Sequence, residues 1–202
     1  DRFDTGNRFD IGVNTVFEAD EGGSYRMFVG KSYRDKVAEQ PTIGTEQGNK
    51  ASDWLLDIDF QQVTGLGFNG QLRFNDSNQE LIRSDGEIYA SIKKAYFSLQ
   101  YTHLDASITP EGVDREETRG SFDFNLSENW LLNGYVRYDM EREKRLKNSI
   151  ALIYRDDCTD ISLSFNQSFT RNGNIGPRNG LTFKIILRTL GGQFPVERLH
   201  QY

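Results

Sequence analysis

The sequence predicts an all-β fold: an antiparallel up-and-down transmembrane β-barrel, of which about eleven strands are present. Almost every segment alternates apolar and polar residues, the connections alternate between short and longer, and aromatic residues gather near strand ends. No run approaches the ~18–20 apolar residues of a transmembrane helix. With 12% aromatic residues, 19 glycines and only 4 prolines in 202 residues, the composition suits a β-rich chain with tight turns.

The strands are predicted from a period of two, because successive side chains on a strand point to opposite faces of the sheet. The clearest apolar series, in chain order, are Phe9/Ile11/Val13/Phe17, Trp54/Leu56/Ile58/Phe60, Leu66/Phe68/Leu72/Phe74, Phe122/Phe124/Leu126, Trp130/Leu132/Val136/Tyr138, Leu146/Ile150/Leu152/Tyr154 and Ile161/Leu163/Phe165. With the connections as boundaries, the predicted strands are 7–19, 24–34, 53–63, 66–76, 81–92, 95–105, 115–126, 129–140, 145–156, 158–169 and 180–190.

The connections carry a second signal. In order they are "DEGG", "DKVAEQPTIGTEQGNKAS", "TG", "NDSNQ", "KK", "ASITPEGV", "SE", "EREK", "DD" and "RNGNIGPRN". Short and longer ones alternate, so one end of an up-and-down sheet carries turns and the other carries loops. Outer-membrane barrels have this asymmetry, with short periplasmic turns and longer extracellular loops. A soluble β-sandwich also alternates apolar and polar residues but gives no reason for two different ends.

The barrel is expected to be incomplete in this sequence. Eleven strands is an odd number, bacterial single-chain barrels usually have an even one, and an open edge in lipid leaves costly unpaired backbone groups. We therefore expect further strands upstream, with residues 1–190 as the C-terminal part of the barrel and 191–202 as a periplasmic tail.

The polar face of each strand is predicted to line the barrel lumen. A polar lumen face also accounts for a mean hydropathy of −0.65 in a membrane protein, because it dilutes the lipid-facing residues. The net charge of −6 argues against a nucleic-acid partner. The lumen-facing candidates are Asp57, Asp59, Asn69, Gln71, Arg73, Asp123, Asn133, Arg137, Asp160 and Asn166.

Catalytic and metal sites are weakly supported. His103, Asp105 and Ser107 in "YTHLDAS" would share one face of a strand on the lipid side, yet i and i+2 Cα atoms on a strand are ~6.5–7 Å apart, too far for a nucleophile and its base. We therefore favour a polar interfacial patch, where the strand leaves the membrane, over a catalytic group. The pairs Asp57/Asp59 and Asp156/Asp157, and the loop residues Asp35, Glu39 and Glu46, have oxygen ligands for a cation, but a wet surface accounts for them more simply. We predict no catalytic residues, no metal and no cofactor.

Cys158 is the only cysteine, in "YRDDCTDISLSFNQSF". It follows one of the short turns, which places it at the periplasmic end, beside a compartment where disulfides persist. The acidic residues around it, Asp156, Asp157 and Asp160, disfavour a thiolate nucleophile. A free thiol and half of a disulfide with a partner elsewhere both remain open.

Several stretches together resemble the C-terminal half of the barrel in the LptD family of LPS-assembly proteins, also called organic solvent tolerance proteins. They are "NRFDIGVNTVF", "MFVGKSYR", "WLLNGYVRYDM", "IALIYRDDCTDISLSFNQSF" and "GPRNGLTFKIILRTLGG". The resemblance implies a barrel in the Gram-negative outer membrane, among outer-membrane lipids, which does no enzyme chemistry. It receives lipopolysaccharide from a periplasmic LptA-type bridge through an N-terminal domain and delivers it to the outer leaflet. An LptE-type lipoprotein plugs the lumen, and the barrel-assembly machinery folds the protein.

The same resemblance implies roles for single residues. Cys158 would bridge to the periplasmic N-terminal domain, and the last strand would form one side of a lateral exit seam through Leu181, Phe183, Ile185 and Leu187. Arg178, Gly180, Phe183 and Ile185 match the terminal sorting pattern of outer-membrane barrels, although an ordinary strand after a loop glycine looks the same. The alternatives in function are another transport barrel, such as a porin-like channel, and a lipid-modifying outer-membrane enzyme.

Overall fold

A computed structural model describes residues 6–20, 22–37, 49–170 and 176–187. It contains eleven strands, as predicted, and a one-turn 3₁₀ helix at Ala106–Ile108. The strands are β1 Arg8–Glu18, β2 Ser24–Arg34, β3 Trp54–Gln61, β4 Leu66–Phe74, β5 Leu81–Ile92, β6 Ala95–Leu104, β7 Arg115–Asn125, β8 Trp130–Asp139, β9 Lys144–Arg155, β10 Thr159–Ser168 and β11 Arg178–Leu187. The last strand begins two residues earlier than predicted, and the part predicted beyond Leu187 lies outside the described residues.

The strands form a single sheet in chain order, β1 to β11, and every pairing is antiparallel. This confirms the predicted up-and-down topology. Within the described residues β1 and β11 are the two edges and do not pair with each other, so the sheet is not closed. The further strands that would close it stay a prediction. No helix in the described ranges is long and apolar enough to cross a membrane.

The register aligns the apolar residues of neighbouring strands on one face, because directly paired residues of antiparallel strands point to the same side. Leu56 pairs with Leu72, Phe97 with Phe122, and Leu152 with Leu163. This apolar face is uncovered: Leu99, for example, is 55% exposed. Among the large apolar side chains of the described residues, only Ile82 and Ile153 are buried. The described sheet therefore has no second layer packed against it, unlike a β-sandwich.

The opposite, polar face is more enclosed than the apolar one. On β5 to β10 most side chains of the polar face are half-buried, whereas most of the large apolar side chains on the opposite face are exposed; on β3 and β4 the two faces differ little. Side chains crowd on the inside of a curved sheet and spread apart on the outside. The burial difference therefore indicates that the polar face is the concave one, as the lumen prediction requires.

Aromatic rings cover several strand glycines, which explains two exceptions to the alternation. Phe28 lies on the polar face, where its ring fills the space beside Gly12 and Gly30. Tyr89, also on the polar face, does the same for Gly67. An aromatic ring packed over a glycine covers backbone that has no side chain of its own, and it helps to fix the register of adjacent strands.

The connections differ between the two ends largely as predicted. The end with turns has connections 19–23, 62–65, 93–94, 126–129 and 156–158; the end with loops has 35–53, 75–80, 105–114, 140–143 and 169–177. The exception is 140–143 on the loop side: its four residues equal the number in 62–65 and 126–129 on the turn side and are fewer than the five of 19–23. In the shortest turn, Lys93 adopts a left-handed backbone with φ of 44°.

Candidate functional site

The ten predicted lumen-facing residues all lie on the polar face, since the register places them on one side of the sheet. One continuous row of paired residues crosses the sheet from β2 to β9. It consists of Arg26, Asp59, Asn69, Glu87, Gln100, Arg119, Arg137 and Lys147. Charge changes sign twice along this row: it is basic at Arg26 on β2, acidic on β3 and β5, and basic again on β7, β8 and β9.

The acidic sector comprises Asp57 and Asp59 on β3 and Asp85 and Glu87 on β5. Neutral donors from neighbouring strands bind three of these carboxylates. The Gln71 amide donates to Asp57 at 2.8 Å, and the Thr102 hydroxyl donates to Asp85 at 3.0 Å. Glu87 accepts from Asn69 at 3.4 Å and from Gln100 at 3.1 Å. Amide and hydroxyl donors therefore hold much of this sector in place.

The basic sector comprises Arg119, Arg137 and Lys147, which face one another directly on three consecutive strands. The Arg137 Nε donates to Glu117 at 2.7 Å. The guanidinium carbon of Arg119 lies 4.6 Å from the ring centroid of Tyr135, and the Lys147 Nζ lies 5.7 Å from the same centroid. Glu117 and the Tyr135 ring thus both contribute to stabilising these opposed cations.

The remaining predicted residues take part in cross-strand polar pairs. Asn133 donates to Asp123 at 2.6 Å. Near the β10 strand, the Ser149 hydroxyl donates to Asn166 at 2.8 Å and Arg155 pairs with Asp160 at 3.3 Å. These pairs join adjacent strands on the polar face, so Asp123, Asn133, Asp160 and Asn166 have a structural role besides any contact with a ligand.

Sequence reasoning missed an ion network at the loop end, formed by Lys31, Asp53, Arg73 and Asp76. Arg73, predicted to face the lumen, pairs with Asp53 at 2.8 Å. Lys31 points to the apolar face, where Asp76 pairs with it, and its Nζ lies 5.3 Å from the Trp54 ring and 5.5 Å from the Tyr33 ring. The backbone N–H of Asp76 donates to Asp53 and connects the two pairs. The sequence does contain one sign of this network: Lys31 is a charged residue on the otherwise apolar face of β2.

The group that suggested catalysis is arranged differently from the prediction. β6 ends at Leu104, and Asp105 caps the following 3₁₀ turn instead of continuing the strand. The Ser107 hydroxyl and backbone N–H both donate to Asp105, which holds the pKa of that carboxyl below its usual value. His103 lies 3.8 Å from Glu116, which also accepts from the Tyr101 hydroxyl. The prediction of one strand face for all three residues is therefore wrong, and Ser107 serves the turn.

Two of the carboxylates considered as cation ligands bind backbone N–H groups nearby. Asp35 accepts from the backbone of Asn7, and Asp156 accepts from two backbone N–H groups of its own turn. Among the described residues, no three His, Cys, Asp or Glu side chains come together as a metal-binding group. Glu39, Glu46, His200 and the predicted tail 191–202 lie outside the described residues.

Cys158 is exposed in the turn between β9 and β10, where its backbone N–H donates to Asp156 at 2.9 Å. The thiol is accessible at the end of the sheet that carries the short turns. Its proposed disulfide stays a prediction.

The β11 strand contains the residues predicted for the lateral seam and those predicted for the sorting pattern, and its apolar and polar residues lie on opposite faces. Leu181, Phe183 and Ile185 extend the apolar face beside Phe165, Leu163 and Ile161. Arg178 and Gly180 lie on the polar face, opposite Ser168 and Asn166. This geometry is compatible with a seam strand and with a sorting pattern, and equally with an ordinary edge strand.

Comparison with known proteins identifies the family. The model of the family described as LptD, LPS transport system D, matches residues 1–130. The chain is 23% identical over 206 residues to the LPS-assembly protein LptD of Photobacterium profundum, covering 94% of this chain and 26% of that protein. It is 20% identical over 196 residues to the LPS-assembly protein LptD of Vibrio cholerae serotype O1, covering 86% of this chain and 25% of that protein. The chain thus spans about a quarter of the length of the curated relatives it matches. Because the family model covers more than half of the sequence, the chain belongs to the LPS transport system D family.

Proposed function

We propose that this chain forms part of an outer-membrane barrel that places lipopolysaccharide in the outer leaflet. The observation that carries the proposal is a single sheet with one uncovered apolar face and one enclosed polar face. In water, so large an apolar surface would drive association. In a bilayer, lipid covers it, and the polar face encloses an aqueous path.

The strand dimensions fit this placement. β6 has 10 residues, and at ~3.4 Å per residue such a strand is about 34 Å long. A barrel strand tilts by ~35–45°, which reduces that length to roughly 26 Å along the membrane normal, close to the ~25 Å apolar band of outer-membrane barrels. Trp54, Trp130 and Tyr154, near strand ends, suit the interfacial positions where aromatic side chains concentrate.

The proposed work is transport without covalent chemistry. The polar face forms the wall of the lumen, where an LptE-type lipoprotein sits as a plug, and β11 forms one side of a lateral exit for a molecule with a polar head and apolar tails. An LptA-type periplasmic bridge delivers lipopolysaccharide to the N-terminal domain, and the barrel-assembly machinery inserts the protein. Family membership and the two-faced sheet support these assignments.

The experiment is depletion of the full-length protein in cells that make lipopolysaccharide. We expect newly made lipopolysaccharide to stop reaching the cell surface, measured by surface antibody after pulse labelling, while an unrelated outer-membrane porin still assembles. Unchanged surface lipopolysaccharide, together with ion conductance by the purified protein in planar bilayers, would instead assign a porin-like channel.

The disulfide is a separate proposal: Cys158 bridges to a periplasmic cysteine of the same full-length chain. Its exposure at the turn end leaves the thiol accessible to such a partner. On a non-reducing gel, the full-length protein should migrate differently from its reduced form, and Cys158→Ser should abolish the difference. Identical mobility of the oxidised and reduced wild-type protein would refute the bridge.

A further inference from the structure

A groove crosses the apolar face of the sheet from β7 to β10. Its edge nearer the loop end includes Gly120, Asn148 and Gln167, and its edge nearer the turn end includes Phe122, Ile150 and Phe165. The groove has a volume of about 190 Å³, and among the described residues that line it none is acidic. It is a recess in the surface that lipid covers in the proposed function.

The groove exists because one of two glycines on this face is left uncovered. The Phe122 ring occupies the space beside Gly134, where a Cβ atom would lie 2.7 Å from it. A Cβ atom on Gly120 would meet nothing within 4 Å. An acyl chain that enters this space contacts protein on more sides than a chain on a flat surface, and so gains dispersion contacts.

The loop-side edge of the groove contains amide side chains, which need hydrogen-bond partners in apolar surroundings. The Gln167 Nε2 donates to the Asn179 Oδ1 at 3.3 Å. The Asn148 Oδ1 is enclosed and has no hydrogen-bond partner among the described residues. A polar ligand beside Asn148 provides such a partner once the amide turns toward the groove.

Arg145 lies on the same face, three residues nearer the loop end than Asn148. It pairs with Tyr138 across β8 and β9, and its guanidinium carbon lies 5.7 Å from the centroid of the Phe169 ring. Arg145 is exposed, and no carboxylate of the described residues forms an ion pair with it. A guanidinium in this position suits a phosphate in the head-group layer.

A glycerophospholipid carries the complementary groups in the same order. With the loops outside, as in outer-membrane barrels, Arg145 is nearest the membrane surface and Phe165 is nearest the bilayer centre. Phosphate, ester groups and acyl chain follow one another in the same direction along the lipid. A recess of about 190 Å³ admits part of one chain, which favours a lipid with two chains over a glycolipid with a bundle of them.

We propose that β7 to β10 carry a glycerophospholipid site on the lipid-facing wall: Arg145 binds the phosphate, Asn148 binds the polar groups beside it, and the recess at Gly120 takes one acyl chain. This inference rests on the membrane placement in the proposed function and adds a lipid site outside the lumen.

The test is photolabelling of the full-length protein in detergent, with the labelled peptides identified by mass spectrometry. The probe is phosphatidylethanolamine with a photoreactive group in one acyl chain, compared with diacylglycerol that has the same chain. The variants are Gly120→Leu, Asn148→Leu and Arg145→Gln. Gly86→Leu is the matched control, because Gly86 lies on the same face beside Tyr101 and a Cβ atom there would have its nearest contacts at 3.9 Å.

We expect phosphatidylethanolamine to label β7 to β10 about threefold to tenfold more than diacylglycerol does, the equivalent of one hydrogen bond. Arg145→Gln should remove this difference, Asn148→Leu should weaken labelling by phosphatidylethanolamine, and Gly120→Leu should abolish the excess of labelling at the groove by both probes. Gly86→Leu should behave as the wild type does.

Unlabelled competitors identify the kind of lipid: phosphatidylethanolamine should compete better than the multiply acylated anchor of lipopolysaccharide. Stronger competition by that anchor, even labelling of the whole apolar face, or an unchanged result in Gly120→Leu overturns the site and leaves the proposed function intact. Absence of labelling on the apolar face by either probe refutes the site and counts against the membrane placement too.

Discussion

The ring of Tyr89 occupies the space that a Cβ atom on Gly67, its cross-strand partner, would need. The close approach makes the glycine a packing requirement on the polar face. Gly67→Val should therefore destabilise the full-length barrel by about 1–3 kcal/mol, the usual cost of overpacking. The measurement is the urea midpoint of unfolding in detergent or liposomes.

Gly120 provides the control for this substitution. It also lies within a strand, but a Cβ atom there would meet nothing within 4 Å. Because valine favours strands, Gly120→Val should be neutral or slightly stabilising. Equal losses at Gly67 and Gly120 would show that strand glycines are required for a reason other than the Tyr89 contact.

The ion pair between Lys31 and Asp76 is asymmetric in exposure, and its two truncations should differ. The Lys31 side chain is 5% exposed and that of Asp76 is 37% exposed. Asp76→Ala leaves a buried ammonium without its carboxylate, which should cost up to about 3 kcal/mol. Lys31→Met leaves a carboxylate that water reaches, so about 1–2 kcal/mol is expected.

Denaturant unfolding of the two variants measures this order. The exposed pair Arg8–Asp10 is the control, with side chains 55% and 61% exposed, and Arg8→Gln should change stability by less than ~0.5 kcal/mol. A larger loss for Lys31→Met than for Asp76→Ala would contradict the burial of the lysine at the loop end.

Lys93 holds a left-handed backbone conformation in the shortest turn, between β5 and β6, with φ of 44°. This conformation costs a residue with a side chain about 1 kcal/mol relative to glycine. Lys93→Gly should therefore raise the free energy of unfolding by up to that amount. Lys94→Gly, the adjacent substitution, should not, because Lys94 is absent from the positive-φ residues of the described chain. If Lys94→Gly stabilised the protein and Lys93→Gly did not, the positive φ would lie at Lys94 and not at Lys93.

The stability of the 3₁₀ turn that Asp105 caps should depend on pH, because the cap is made by the Asp105 carboxylate. Hydrogen bonds from the Ser107 hydroxyl and N–H lower the pKa of this carboxyl in the folded protein. Its contribution is thus fully present above the unfolded pKa and is lost as pH falls through the lowered folded pKa. Hydrogen exchange of the Ser107 amide in the wild type, corrected for intrinsic rate, should lose protection between pH 5 and a pH below the ordinary carboxyl pKa of ~3.9. In Asp105→Ala, the protection should be low at both; a wild-type pH response retained in that variant would exclude Asp105 as its source.

The fold was predictable from sequence because most strand positions alternate between apolar and polar residues and each strand pairs with its chain neighbour. The pairing of Leu152 with Leu163, for example, follows from the two apolar series and the short turn that joins their strands. Phe28 and Tyr89 break the alternation because each ring packs beside a glycine on an adjacent strand. These contacts can be predicted only when the register between the strands is known.

For the candidate site, the sequence predicted which face of the sheet each side chain occupies but not which side chains contact one another. The alternation assigns Asp57 and Arg137 to the polar side, but the alignment of Arg119, Arg137 and Lys147 depends on two hairpin registers, β7–β8 and β8–β9. The bulge between Arg137 and Tyr138 shifts one of those registers and cannot be read from the alternation. Lys31 and Asp76 come together from a strand and a distant loop, 45 residues apart, for which the sequence has no local pattern.

The most direct test of the central claim is photocrosslinking along β8 in living cells. A photoreactive amino acid is placed singly at each position from Leu132 to Arg137, within one strand whose side chains alternate between faces. The account predicts lipopolysaccharide capture with a period of two, strong at Asn133, Tyr135 and Arg137 and weak at Leu132, Gly134 and Val136. Capture that is equal at all six positions, or stronger on the apolar series, would contradict a polar face that lines the path of lipopolysaccharide.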